Sequence, residues 1–219
     1  MVLIESWIEG TFPMLQHRMA DGALEGGKTR ANAAEAAIDP RNEAERCVYR
    51  LVSKQLAVPG GAFSRLLREA GGSHKAKGSR KSVKYLVPAA VIVLDELCGI
   101  YLHDRKTKVM DFEVDSRPVV IPATKGRVMR HRARFNEWSV KFSMRINEKI
   151  LSEALVRQLL TEGGEQIGIG DFRPDKGGSF GTFGLVAWDV LQPAIPTKTP
   201  ARTRNGSFPE TRESVARQG

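Results

Sequence analysis

Cysteine is scarce in this chain, and its scarcity argues against two classes of protein. Cys47 and Cys98 are the two cysteines among 219 residues, and they show no metal-type spacing. The sequence therefore disfavours a disulfide scaffold and a cysteine-based zinc site. So few cysteines fit a reducing compartment, and we expect a cytoplasmic protein, in a bacterial host or a phage-infected cell.

Long apolar runs are also missing. The longest, Leu86–Leu94, is about half as long as a helix that crosses a membrane. The first residues, MVLIESWIEG, lack the basic and long apolar segments of a secretory signal. We therefore expect a soluble protein with no membrane partner.

Aromatic side chains make up 7% of the chain, so we expect a mostly aliphatic core. We assign Trp7, Trp138 and Trp188 to that core and keep Phe172 and Phe180 as candidates for stacking on nucleobases. The four histidines are scattered, with neither H-x-x-x-H nor HExxH spacing. We therefore expect no metal site and no cofactor.

Positive charge is what the chain has in excess: 34 lysines and arginines against 25 acidic residues, for a net charge of +9. This balance favours a polyanionic partner, most often nucleic acid. One basic segment is a predicted loop that carries Lys75, Lys77, Arg80, Lys81 and Lys84. Such a loop can displace counterions from phosphates without distinguishing base sequence. The alternative is an ordinary solvated loop.

A second basic segment lies on a predicted strand over residues 127–135. Arg130, Arg132 and Arg134 fall on one face of that strand, because side chains alternate along it. Three like charges in a row repel one another unless an anion or nearby acids compensate them. The pattern indicates phosphate contact, or alternatively pairing with the protein's own Asp and Glu residues.

Hydrophobic periodicity predicts an α+β domain over residues 1–192. Its main elements are strands at 2–9, 86–96, 127–135, 139–146 and 182–191, and helices at 59–70 and 149–161 that end at the glycine pairs 71–72 and 163–164. Three excursions interrupt them: a flexible insertion (19–44), a basic loop (72–84) and an excursion or hairpin (99–136). Without these, the order is that of the ferredoxin-like βαββαβ motif, an RRM-like plan. We expect residues 193–219 to be a disordered tail.

A glycine-rich segment, GIGDFRPDKGGSFG, occupies residues 168–181 between the second helix and the last strand. Neither its position nor its spacing fits a dinucleotide or Walker loop, so it implies no mononucleotide cofactor. Glycine backbone can still approach an anion closely, and we expect Gly168, Gly170, Gly177, Gly178 and Gly181 to do so. Arg173 can hold a phosphate through two hydrogen bonds, and Lys176 adds a point charge. The alternative is a connection that needs glycine only to turn.

The same segment resembles the C-terminal glycine-rich loop of the RAMP superfamily, the CRISPR-associated RNA-binding proteins of ferredoxin-like fold. The matching residues are Ile167-Gly168-Ile169-Gly170, Arg173 and Gly178-Ser179-Phe180-Gly181-Thr182-Phe183. Residues 10–17, GTFPMLQH, resemble the end of the first strand in that family. Residues 2–191 as a whole are similar to small uncharacterised phage and prophage proteins.

The resemblance implies a single-stranded RNA binder, with RNA preferred to DNA. It also implies self-association along the strand, as a repeating subunit of a ribonucleoprotein filament. Some RAMP nucleases use a histidine as general acid or base, so an endoribonuclease with His17 or His74 is one alternative. A phage structural or host-interaction protein that binds no nucleic acid is the other. We expect binding without catalysis.

Overall fold

The computed structural model describes residues 1–18, 39–120 and 125–191. Within these ranges the strands are β1 (Val2–Gly10), β2 (Met14–Gln16), β3 (Tyr49–Arg50), β4 (Leu56–Pro59), β5 (Val91–Val93), β6 (Leu97–Tyr101), β7 (Glu113–Val120), β8 (Arg127–Phe135), β9 (Ser139–Ile146) and β10 (Phe183–Leu191). The α-helices are α1 (Pro40–Arg46), α2 (Gly60–Ala70), α3 (Val87–Ala90) and α4 (Glu153–Gln166). Short 3₁₀ turns cover Val83–Tyr85 and Pro174–Lys176. None of the described helices is both long and apolar enough to cross a membrane.

The strands form two antiparallel sheets. In the larger one the order is β10-β1-β9-β6-β4-β3, and β5 also pairs with β9. Strands β5 and β6 lie one after the other along the same edge of β9, since β5 pairs with its end and β6 with its start. The smaller sheet has the order β2-β8-β7. The protein is thus a mixed α/β structure with antiparallel sheets.

Helices α2 and α4 pack against each other and against one face of the larger sheet. Phe63 of α2 stacks on Phe142 of β9, with ring centroids 4.0 Å apart. The predicted alternation of β9 is confirmed, because Val140, Phe142, Met144 and Ile146 are all buried on the helix side. The predicted strands β1, β8 and β10 and the predicted face of α2 are likewise present.

The prediction that Gly163 and Gly164 end the second helix is wrong. Helix α4 begins after Ser152, whose hydroxyl accepts a hydrogen bond from the Leu155 N–H, and it runs through both glycines to Gln166. A Cβ on Gly164 would lie 2.5 Å from the Phe183 carbonyl oxygen, and one on Gly163 would lie 2.4 Å from Leu66. The glycines are therefore needed for close packing, although they weaken the helix itself.

The prediction of one buried strand over residues 86–96 is also wrong. The segment begins as the helical turn α3 and leaves only three residues for β5. Pro88 suits the first turn of a helix and cannot donate to a sheet. Ile92 and Leu94 are exposed, so the apolar run does not signify burial on both faces.

The remaining excursions are partly described. Residues 40–44 of the predicted flexible insertion belong to α1, and residues 19–38 lie outside the described ranges. Within the predicted excursion 99–136, β6 joins the larger sheet, while β7 and β8 form an antiparallel pair in the smaller one. The predicted tail, 193–219, lies outside the described residues.

One of the three tryptophans lies at the centre of the core. Trp138 is fully buried, and Trp188 is half-buried against the core beside α4. Trp7 points to the opposite face of the larger sheet, where it meets Tyr101 edge to face at 5.4 Å. The assignment of Trp7 to the core was therefore wrong.

Candidate functional site

A cavity of about 250 Å³ opens where β2, the start of α2 and residues 168–181, here called the glycine-rich loop, meet. Its walls combine apolar side chains, such as Met14 and Leu66, with the polar side chains of His17, Arg65 and Arg173. Small-ligand sites typically combine apolar walls with a few polar groups in this way. The predicted glycine-rich loop and His17 are thus brought to one place.

The glycine-rich loop is tightly held. The Asp171 N–H donates to the Leu15 carbonyl at 2.8 Å, and the Ile169 N–H donates to the Gly181 carbonyl at 2.9 Å. These bonds tie the loop to β2 and close it upon itself. The loop therefore has a defined shape.

Four of its glycines use their N–H groups within the protein. The bonds run from Gly168 to the Gly163 carbonyl (2.9 Å), from Gly177 to Pro174 (2.9 Å), from Gly178 to Arg173 (3.1 Å) and from Gly181 to Pro13 (2.8 Å). These four residues therefore do not form a backbone binding site for an anion. An anion at this loop could not use these four N–H groups without breaking those bonds.

Arg173 is also engaged within the loop. Its side chain donates to the Gly170 carbonyl at 2.7 Å and to Asp175 at 3.0 Å, and it is largely buried. Asp175 also meets Arg65 at 3.4 Å and Lys176 at 3.6 Å. Burial alone would raise the pKa of Asp175, but Lys176, Arg173 and Arg65 together hold it below the usual value. Arg173 thus shapes the loop, while Arg65 and Lys176 remain half-exposed around one shared carboxylate.

The three arginines of β8 do not form one exposed row. Arg132 is buried, and its Nε lies 2.6 Å from an Asp171 carboxylate oxygen, although the N–H does not point at that oxygen. Arg130 meets Glu43 at 3.5 Å, and Arg134 donates to Asn136 at 2.7 Å. For Arg130 and Arg132 the structure thus shows pairing with the protein's own acids. The Arg132 contact joins β8 to the glycine-rich loop.

The aromatic candidates differ in exposure. Phe180 is only 4% exposed, so its face is not available to a base, which corrects the sequence-based expectation. Phe172 is 40% exposed and Phe12, which the sequence analysis missed, is 45% exposed. Both pack on Phe180, with ring centroids 6.1 and 5.7 Å away. No local pattern marks Phe12, because its partner lies at the other end of the chain.

The two histidine candidates are in different environments. Much of His17 reaches solvent, yet it lines the cavity, and desolvation there is the main cause that lowers its pKa. Asp171 opposes that shift, and Arg132 and Arg130 reinforce it. His74 instead contacts Glu162 of α4 at 2.7 Å and is not among the residues that line the cavity.

The basic loop is an ordered turn. The Ala76 N–H donates to the Lys81 carbonyl at 2.9 Å, and Lys75 and Ser82 pair as an antiparallel bridge. Lys84 contacts Glu69 at 2.7 Å. The other four cations are exposed, and within the described part of the chain none of them lies in an ion pair: Lys75, Lys77, Arg80 and Lys81.

No protein-family model and no curated protein matches this sequence. Among solved structures, a chain in the cryo-EM structure of the type III-B Cmr-beta bound to cognate target RNA is similar, with a TM-score of 0.51 and 10% identity over 87% of this chain. Our chain spans only 61% of that one. Weaker likenesses are a type IV-B CRISPR complex (TM-score 0.42, 12% identity, 96% of this chain and 95% of that one) and Cmr6 from Pyrococcus furiosus (0.41, 9%, 84% and 98%).

The likeness to the Cmr-beta chain concerns the fold alone, since the sequences are so different. It shows that the two chains share an architecture. The predicted membership of the RAMP superfamily and the predicted similarity to phage proteins both stay predictions. The chain shares its fold with this chain of the type III-B Cmr-beta structure.

Proposed function

We propose that the protein binds single-stranded nucleic acid, RNA in preference to DNA, mainly through backbone phosphates. The observation that carries the proposal is the shaped glycine-rich loop, which holds Arg65 and Lys176 half-exposed around Asp175 beside an open cavity. Lysine and arginine in a preformed arrangement bind phosphates with little loss of side-chain freedom. Arg173 belongs to the site as the residue that keeps the loop in shape.

The proposal includes a ferredoxin-like core. If β5 and β6 together count as the second strand, then β10, β1, β9 and that strand follow the 4-1-3-2 order of a βαββαβ unit. Helices α2 and α4 are then its two helices. This order supports the proposal, with β7 and β8 as a hairpin inserted between the second and third strands.

Salt dependence tests the proposal most directly. We expect a labelled 20-nucleotide oligouridylate to bind at 50 mM salt, and log affinity to fall linearly with log salt, by about 0.7 for each phosphate contacted. The same sequence as DNA should bind less tightly. Absence of binding at 50 mM salt, or an affinity indifferent to salt, would contradict the proposal.

We also propose that several copies bind side by side on one strand. Complexes on strands of increasing length should then grow in discrete steps of one protein each, as measured by mass photometry. A single copy on every length would contradict this part alone. Within the described residues, no specific observation favours the endoribonuclease or the structural-protein alternative.

A pH dependence should accompany binding through His17. Because its folded pKa lies below the usual 6.5, His17 is mostly neutral at pH 7 and gains charge as the pH falls through that lowered value. A nearby phosphate favours the charged form, so we expect affinity to rise on acidification at constant salt. His17→Gln should remove this rise and leave the affinity at pH 7.5 nearly unchanged. Equal pH dependence in both proteins would contradict a phosphate beside His17.

The same shift has the opposite effect on folding. Below pH 6.5 the unfolded chain takes up the His17 proton more readily than the folded protein does. The stability that depends on neutral His17 is therefore complete above pH 6.5 and lost as the pH falls through the folded pKa. Unfolding curves of the free protein separate this effect from the gain in binding.

A further inference from the structure

An exposed pair of aromatic rings lies beside the glycine-rich loop. Phe12 follows the end of β1 and Phe172 lies in the loop, and both rings cover the buried Phe180. We call Phe12 and Phe172 the aromatic pair. Single exposed apolar side chains are common, but two exposed rings on one buried ring form an apolar patch, and patches of this kind often mark binding sites.

The backbone holds both rings at the surface. Phe172 has a φ of 49°, in the left-handed region that bulky residues rarely adopt. Its carbonyl accepts the Phe180 N–H at 3.2 Å, while the Phe12 carbonyl accepts the Trp138 indole N–H at 2.9 Å. Strained residues of this kind persist where the surroundings fix them, and they concentrate at functional sites.

A cation lies against the same cluster. The Arg117 guanidinium is 4.6 Å from the centre of the Phe180 ring, and its Nε donates to both Asp115 oxygens, at 3.0 and 2.8 Å. Asp115 thus fixes the arginine through Nε alone. The terminal nitrogens of this half-exposed side chain remain oriented by that contact, next to the aromatic pair.

We infer that the aromatic pair is a stacking platform for unpaired nucleobases and that Arg117 holds an adjoining phosphate; the inference rests on the proposed function. Flat apolar rings next to a positioned guanidinium match a ligand that alternates flat bases with anionic phosphates. In a duplex the base faces are covered by their neighbours, so such a platform selects single strands. Phe180 contributes as the buried support of both rings.

The test compares two probes of equal length: fluorescein-labelled 20-nucleotide oligouridylate and the same RNA backbone without bases. Phe12→Ala and Phe172→Ala should each weaken oligouridylate binding about 5- to 100-fold at 50 mM salt. The slope of log affinity against log salt should not change, because no phosphate contact is lost. Both variants should bind the abasic strand as tightly as the unaltered protein does.

A second set of variants separates stacking from packing. Phe12→Leu and Phe172→Leu keep an apolar side chain on Phe180, so they should preserve the fold even where alanine does not. Both variants lack the flat ring and should therefore still weaken oligouridylate binding. Phe12→Trp should bind at least as tightly as the unaltered protein. Arg117→Gln should make the slope of log affinity against log salt shallower by about 0.7, because one phosphate contact is lost.

The outcomes distinguish this inference from the proposed function. Salt-dependent binding that the phenylalanine variants leave unchanged would overturn the platform and leave phosphate binding in place. An equal loss on the abasic strand would also overturn it, because the rings would then act only through the loop's shape. Failure of the unaltered protein to bind either strand would overturn both.

Discussion

Gly181→Ala is expected to lower the free energy of unfolding by about 3 kcal/mol or more. Gly181 has a φ of 72°, which strains any other residue, and a Cβ there would lie 1.8 Å from the Ile169 carbonyl oxygen. That oxygen belongs to the backbone and cannot swing aside. Relief of the clash must break the bonds of Gly181 to Ile169 and Pro13. Urea unfolding of the free protein measures the loss.

Gly177→Ala is the matched control for that variant. Gly177 has nearly the same φ, 75°, but no heavy atom lies within 4 Å of a Cβ built there. Its substitution should therefore cost only the left-handed strain, about 1 kcal/mol. Equal losses in the two variants would mean that backbone strain alone lowers the free energy of unfolding. The close approach of Gly181 to Ile169 would then make no contribution.

The parts of the fold that the sequence predicts well are those decided by local pattern. The alternation of β9 and the apolar face of α2 depend on neighbours a few residues away, so both are visible in the sequence. The end of α4 was misplaced because the reason for Gly164 lies elsewhere, in the Phe183 backbone against which it packs. A glycine pair looks the same whether it ends a helix or allows another segment to approach.

The candidate site divides in the same way. The basic loop was predicted from closely spaced residues, and the structure keeps four of its cations exposed. The strand that carries the arginines of β8 was correctly predicted, but their partners could not be foreseen, since Glu43 is 87 residues from Arg130. Because Arg130 and Arg132 pair with acids that are distant in sequence, they form contacts within the protein instead of an exposed row of charges. Phe12 could not be predicted either, because its partner Phe180 is also distant in sequence.

Replacement of Lys75, Lys77, Arg80 and Lys81 by glutamine is expected to weaken RNA binding about a hundredfold or more at 50 mM salt. The basic loop presents these side chains on a closed turn, in which the Val83 N–H donates to the His74 carbonyl at 2.8 Å. An ordered backbone loses less freedom on binding than a flexible one. The slope of log affinity against log salt should become shallower by about 0.7 for each contact removed.

A quadruple variant elsewhere on the surface shows whether position or net charge matters. Arg105, Lys106, Lys108 and Lys149 are also exposed, and their replacement by glutamine changes the net charge by the same amount. If phosphates contact the basic loop, this control should retain most of its affinity and its full salt slope, because exposed charges that make no phosphate contact are screened by salt. Equal losses in both variants would assign binding to overall charge. An unchanged affinity in the basic-loop variant would mean that this loop is only solvated and does not contact phosphates. Phosphate binding would then depend on Arg65 and Lys176 beside the cavity.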